Sequence, residues 1–274
     1  MKITVLVDDL TKDCKFDKKH GLSFYIESKN KKILFDLGPN DTFIKNAKKM
    51  NIDLNDVDIV IISHGHRDHG GGLEDFLKIN SKAKIYINRF AFNDYYTDIL
   101  KKIKHNISLN KKFKWHERVI LVNGLYKVDN DIYLYNKIRG KELIPSTNNN
   151  LYRKRKEKYV ADNFQHEQNL LINEDNKHYV FVGCGHRGII NILNEGEKVA
   201  KDNIDYLFGG FHLYDYRNKK YESDEFINSI SNRLNEKITV CYCCHCTGEE
   251  AYKKIKNIVK DKINYIKAGD IVEK

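Results

Sequence analysis

Apolar residues recur along this chain in short blocks, each closed by a polar or glycine-containing stretch. That is the patterning of buried strands joined by turns, with helices interspersed. Residues 2–7 read as a first strand. Residues 22–27 and 32–35 flank the polar stretch Ser28-Lys-Asn-Lys31 and read as a hairpin. Phe43, Ile44, Ala47 and Met50 recur at helical spacing over 41–50. Over 57–62 the run Ile59-Val-Ile-Ile62 is apolar at every position, so that strand is expected to be covered on both faces. A helix over 73–79, a strand over 84–88 and a helix over 91–104, with Phe92, Tyr95 and Tyr96, come next. Further on, the pattern gives a strand pair at 169–173 and 178–182, a helix over 189–200 and strands at 204–208 and 238–242. A helix over 249–259 comes last. Strands and helices alternating with hairpins place the chain in the α/β class.

Residues 105–165 interrupt this alternation and carry Trp115, Tyr126, Tyr133, Tyr135 and Tyr152 among many lysines and asparagines. Long excursions of this kind are often lids or binding loops. The expected organisation is therefore a single domain, 1–274, with a lid-like insertion at about 105–165. Covering the site, forming a homodimer contact and burying its own aromatics are alternative uses of that segment.

Chemistry concentrates where the strands end. The 57–62 strand runs directly into Ser63-His-Gly-His-Arg-Asp-His-Gly-Gly-Gly72. Imidazole and carboxylate are the ligands that a divalent metal of borderline softness prefers. His64 and His66 are two apart, so an extended backbone sends both to one side, while Asp68 and His69 come after the chain has begun to turn. The second half repeats the design, with Gly183-Cys-Gly-His186 followed by a helix, Gly209-Gly-Phe-His212, and His245 after the 238–242 strand. Asp36 also ends a strand beside a glycine-containing turn.

The order His64-x-His66-x-Asp68-His69 resembles the metal motif of the metallo-β-lactamase-fold superfamily of hydrolases. The further motifs His20-Gly-Leu-Ser-Phe-Tyr-Ile26, Leu34-Phe-Asp-Leu-Gly38, Gly183-Cys-Gly-His186, Gly209-Gly-Phe-His-Leu213 and His245-Cys-Thr-Gly248 occur in order. Together they resemble the subgroup named after 7,8-dihydropterin-6-methyl-4-(β-D-ribofuranosyl)-aminobenzene-5'-phosphate synthase. The resemblance spans nearly the whole chain. It implies an αββα sandwich with a site at one edge between the sheets. It also implies two zinc ions, with manganese or iron as alternatives, one held by His64, His66 and His186 and the other by Asp68, His69 and His245. His166 is the rival to His186. The superfamily often has a bridging aspartate where this chain has Cys184, which can ligate metal or line the pocket. Asp36 is expected to support the metal loop through hydrogen bonds, Asp68 to orient the attacking water, and His212 to stand on the substrate side. His20, His105, His116 and His178 are read as structural or surface residues.

Composition narrows the picture further. At 274 residues and 41% hydrophobic, the chain can bury a sizeable core. The apolar run at 3–7 stops at Asp8-Asp9, so neither a signal peptide nor a membrane span is expected. The six cysteines then read as reduced thiols of a cytoplasmic protein. The formal charge of +10 suits an anionic small-molecule substrate. The dense run Arg153-Lys-Arg-Lys156 is the only basic cluster that would suit a nuclease, and nucleic acid is the disfavoured partner. An iron-containing redox protein of the same fold is the remaining alternative. No Ser-His-Asp arrangement, phosphate loop or dinucleotide glycine motif competes with the histidine loops for the reaction centre.

Overall fold

Strand direction decides where the side chains of interest emerge. The computed structural model describes residues 1–29, 31–99 and 103–274; Asn30 and 100–102 lie outside the described residues. The chain divides into two units, Met1–Tyr95 with Asn106–Asn123 and Ile266–Lys274, and Tyr96–His105 with Gly124–Tyr265.

The first unit is built on a seven-stranded sheet in the order Ile271–Glu273, Lys2–Val7, Ser23–Ser28, Lys31–Phe35, Ile59–Ile62, Lys84–Asn88, Val119–Val122. The first three pairings are antiparallel and the last three parallel. Alternate residues Leu34, Val60, Ile62, Ile85 and Ile87 face helices α1 (Thr42–Lys49) and α3 (Leu73–Ile79). Between them lies the single turn α2 (Arg67–Gly70). Phe43 and Phe76 are fully buried under that sheet. Each contributes about 2–3 kcal/mol of apolar burial, which holds helices of eight and seven residues that would be marginal alone.

In the second unit the order is Ile263–Tyr265, Val240–Cys243, Tyr206–Gly209, Lys177–Val182, Asn169–Glu174, Ile132–Tyr135, Tyr126–Asp129. Here the first three pairings are parallel and the rest antiparallel. One face packs Leu171, Val180, Val182, Leu207 and Cys241 against α4 (Ile189–Ala200), α5 (Asp224–Asn235) and α6 (Glu249–Val259). The other carries a cross-strand row of stacked aromatics, with Phe208 at 5.1 Å from Phe181 and 4.7 Å from Tyr242.

Three expectations change. The span 91–104 is not a helix. Tyr95–Ile99 and Ile103–Asn106 are strands of a four-stranded sheet with Leu151–Arg155 and Lys158–Ala161, and the part of the expected helix over 100–102 lies outside the described residues. The Asn88 side chain accepts from the Phe90 amide and its carbonyl from the Ala91 amide, forming a turn where the helix would start. The aromatic and β-branched run from Tyr95 to Thr97 then extends, as those residue types favour. The 105–165 span is also not one excursion. Val119–Val122 completes the first seven-stranded sheet, Tyr126–Asp129 and Ile132–Tyr135 complete the second, and Tyr135 is buried in its core. Finally, α5 is an element that the apolar pattern did not single out. Ser223 caps it by accepting from the Phe226 amide at 3.2 Å, and Ile227, Ile230 and Leu234 bury one stripe.

Candidate functional site

The carboxyl ends of parallel neighbours lie side by side, which gathers the loops that extend from them. In the first unit Lys31–Phe35, Ile59–Ile62 and Lys84–Asn88 are such neighbours. Asp36 succeeds the first and Ser63 to His69 the second, and Asp36 becomes the hub of this loop. Its Oδ1 accepts from the Ser63 amide at 2.7 Å, and its Oδ2 accepts from the Ser63 hydroxyl at 2.7 Å and from His69 Nδ1 at 2.6 Å. All three side chains are fully buried. The Ser63 hydroxyl is spent on Asp36, so it accepts from His64 Nδ1 at 2.8 Å. Both His64 and His69 are thereby set as Nδ1–H tautomers, with Nε2 as the nitrogen that could hold a metal.

His64 Nε2 lies 3.0 Å from His66 Nδ1. Two nitrogens on one tetrahedral zinc stand roughly 3.3 Å apart, so this pair fits a shared ion. Asp68 Oδ2 lies 3.6 Å from His69 Nε2 and 3.5 Å from His20 Nε2. His20 in turn meets Asp9 through Nδ1 at 2.9 Å. His20, read from sequence as a structural or surface residue, thus reaches the motif carboxylate. The close-packed glycines explain how the loop turns: a Cβ at Gly71 would strike the carbonyl oxygens of Pro39 and Arg67.

In the second unit Lys177–Val182, Tyr206–Gly209 and Val240–Cys243 are parallel neighbours, and each leads into a donor loop. The loops are tied to each other. The Gly210 amide donates to Gly183 O at 2.9 Å, the Phe211 amide to Thr247 Oγ1 at 3.1 Å and the Leu213 amide to Cys246 O at 2.9 Å. His212 and His245 both sit at positive φ, near 50°, which turns their side chains out of the strand direction. Cys184, His186 and His212 bring their ligating atoms within 4.8 Å of one another, and Cys184, His245 and Cys246 do the same.

His186 is held from several sides. Asn148 accepts from its Nδ1 at 2.8 Å and donates to its carbonyl at 2.9 Å. Glu167 accepts from its backbone amide at 2.8 Å and from that of Arg187 at 3.0 Å. Phe164 stacks on the ring at 4.4 Å and 7°. Burial pushes the Glu167 carboxyl above its ordinary value, against the lowering effect of those two amides. Thr147, next to Asn148, donates to the His212 carbonyl at 2.5 Å. Both His212 ring nitrogens are buried without a well-formed hydrogen bond among the described residues, with the Cys246 thiol beside them. Burial acts to raise that thiol, but its contact with Cys184 and the charges of His245 and His212 outweigh it and hold it well below the usual thiol range.

The first unit therefore brings together His64, His66, Asp68 and His69, and the second His186, His212, His245 and Cys184. His166 is buried with its Nε2 committed to Asp162 at 2.9 Å. Asn148, Glu167 and Cys246 are site residues that sequence reasoning missed. The first set consists of imidazole and carboxylate and the second of imidazole and thiol, the chemistry that zinc and iron accept.

The model of the metallo-β-lactamase superfamily matches residues 17–105. Over its whole length the chain is 28% identical to the 7,8-dihydropterin-6-methyl-4-(β-D-ribofuranosyl)-aminobenzene-5'-phosphate synthase of Methanocaldococcus jannaschii, covering 96% of that protein. Among solved structures, Tm1679, a metal-dependent hydrolase of the β-lactamase superfamily, is 30% identical with a TM-score of 0.83. That alignment covers 100% of this chain and 98% of Tm1679. Zinc-bound PqqB from Methylobacterium extorquens is 12% identical with a TM-score of 0.60 over the full length of both chains, a likeness of fold alone.

Proposed function

The chain belongs to the metallo-β-lactamase superfamily, and from that membership we propose that it is a metal-dependent hydrolase or transferase acting on a small anionic substrate. The observation that carries this reading is the Asp36–Ser63 network, which commits Nδ1 of both His64 and His69 and leaves Nε2 of each to ligate. Two zinc ions are the proposed occupants, with manganese or iron as alternatives. On the family's pattern, His64, His66, Asp68 and His69 of the first unit and His186 and His245 of the second are the proposed ligands. The pairing of His186 Nδ1 with Asn148 leaves its Nε2 to ligate and supports His186 among them.

Bound ions of this kind polarise the reacting oxygen and bring the pKa of water to about 7. The protein's own groups do the rest. Asp68 is partly exposed, and His20 and His69 both approach its Oδ2. It is the group proposed to orient the nucleophile and hold its proton at that oxygen. His212 is proposed to meet the substrate side. The +10 charge favours an anionic substrate.

Full-length similarity to a synthase whose name carries a phosphate supports group transfer as a second reading beside hydrolysis. The thiol-rich second half suits the cytoplasm as the proposed compartment.

Elemental analysis and turnover test the reading together. Purified protein is expected to carry about two ions per chain and to lose metal in His186→Ala but keep it in His166→Ala. The metal-loaded protein is then assayed with simple phosphate esters, and with a pterin diphosphate plus the ribofuranosyl-aminobenzene phosphate. A protein that binds no divalent metal would refute the reading, and turnover of the pterin pair alone would select the transferase form.

A further inference from the structure

Five donors of the second unit, Cys184, His186, His212, His245 and Cys246, form two overlapping groups, and Cys184 belongs to both. Its sulfur stands within 4.8 Å of ring nitrogens on His186, His212 and His245. A tetrahedral site with sulfur and nitrogen ligands places those atoms roughly 3.3–3.8 Å apart, so small rotations bring the donors into range. Cys184 is 3% exposed, and the loop that carries it is set by Gly185 at φ +70 and by the Gly210 amide on Gly183 O. Cys184 comes after the strand Lys177–Val182, at the place where that strand meets the other two donor loops. No disulfide engages any of the six cysteines, all of them among the described residues.

We propose that Cys184 is itself a metal ligand, its thiolate standing where a carboxylate would serve in other members of the superfamily. Binding replaces the S–H bond with a sulfur–metal bond and releases the proton to solvent. A soft sulfur ligand selects zinc, cobalt or iron over manganese and magnesium. Cys246 is the neighbour rather than the ligand. Its sulfur donates to the Cys184 carbonyl at 3.6 Å, and it belongs to one of these two groups where Cys184 belongs to both.

The proposal rests on the metal-dependent reading above, and cobalt substitution separates the two. Apo-protein reconstituted with Co²⁺ is expected to show an intense near-ultraviolet thiolate-to-cobalt charge-transfer band. The band should vanish in Cys184→Ser, with cobalt affinity down at least about tenfold, and persist in Cys246→Ser. Cys184→Asp should bind cobalt without the band, which shows that the fold and the remaining ligands survive. Cobalt bound by the wild type without the band overturns the ligation of Cys184 and leaves the metal-dependent reading standing. A band that survives Cys184→Ser and disappears in Cys246→Ser transfers ligation to Cys246 and likewise overturns it. Failure of the wild type to bind cobalt or zinc at all overturns both.

Discussion

Asp36 Oδ2 lies 2.6 Å from Nδ1 of His69, and neither side chain has any exposure to solvent. Asp36 holds this position at φ 62, a conformation costly for most side chains but tolerated by aspartate. The same carboxylate takes the Ser63 amide and hydroxyl, so its removal strands three buried donors. Each such orphan costs about 1–3 kcal/mol. Asp36→Ala is therefore expected to lower the melting temperature markedly and to reduce metal content. Asp36→Asn keeps one acceptor oxygen and should retain more of the fold than it retains of metal affinity, which should fall about 10–100-fold. Melting curves beside metal titrations check this, and Asp36→Asn binding metal as tightly as the wild type would contradict it.

Asn148 plays the corresponding part for His186, accepting from Nδ1 and donating to the carbonyl of the same residue. Only a side chain with both an acceptor and a donor closes this pair of bonds. Asn148→Leu is expected to weaken zinc binding about 10–100-fold, whereas Asn148→Asp, which keeps the acceptor for Nδ1–H, should lose less. Competition with a chromogenic chelator measures both. Equal losses in the two variants would show that Asn148 only fills space.

Asn148 shows why part of this site was illegible in the sequence. Its contact spans 38 positions and joins a polar 3₁₀ turn to a strand-end loop, and nothing in either stretch announces the other. Asp36 and His64 to His69 were legible because apolar strands end abruptly in ligand-type residues, a local pattern with a local cause. The α/β class was legible for the same reason. The segment after Asn88 misled because Phe92, Tyr95 and Tyr96 fit a helical face as well as a strand, and an Asn88 turn decided the outcome. Ser223-Asp-Glu ahead of Phe226, Ile227 and Ile230 did carry a start signal for α5, and it lay within reach of the cap rules. The His20 contact with Asp68 depends on how the segment before the first hairpin lies against the histidine loop, where the Leu22 amide donates to the Asp68 carbonyl, and periodicity does not encode that.

Gly209 sits at φ +134 at the end of its strand, where a Cβ would fall on the Val182 carbonyl of the neighbouring strand. That conformation is reserved for glycine, and the obstructing atom is backbone that cannot rotate away. Gly209→Ala is expected to cost at least about 2–4 kcal/mol. Because the neighbouring Gly210 amide ties this loop to Gly183, the damage should reach the Cys184 loop and lower metal content in whatever protein remains folded. Urea unfolding together with metal analysis checks the prediction, and a variant with wild-type stability would show that the strand end relaxes more freely than its geometry allows.

Asp205 gives a stability prediction remote from the metal chemistry. It joins the starts of two neighbouring strands, accepting from Lys177 Nζ at 2.8 Å and from the His178 amide at 2.9 Å. Burial alone would raise its carboxyl, but these two donors outweigh burial and set it below its ordinary value. A carboxyl whose folded-state pKa is depressed stabilises the fold above its unfolded value, near 3.9, and loses that contribution as the pH falls through the lower folded value. Lys177 is half exposed, so the ion pair is screened and the whole contribution is about 1 kcal/mol. Asp205→Asn should therefore be less stable than wild type at pH 7, and the gap should shrink below about pH 4. Urea titrations at both pH values measure it, and a gap that stays constant would mean that the Asp205 charge contributes nothing to the fold.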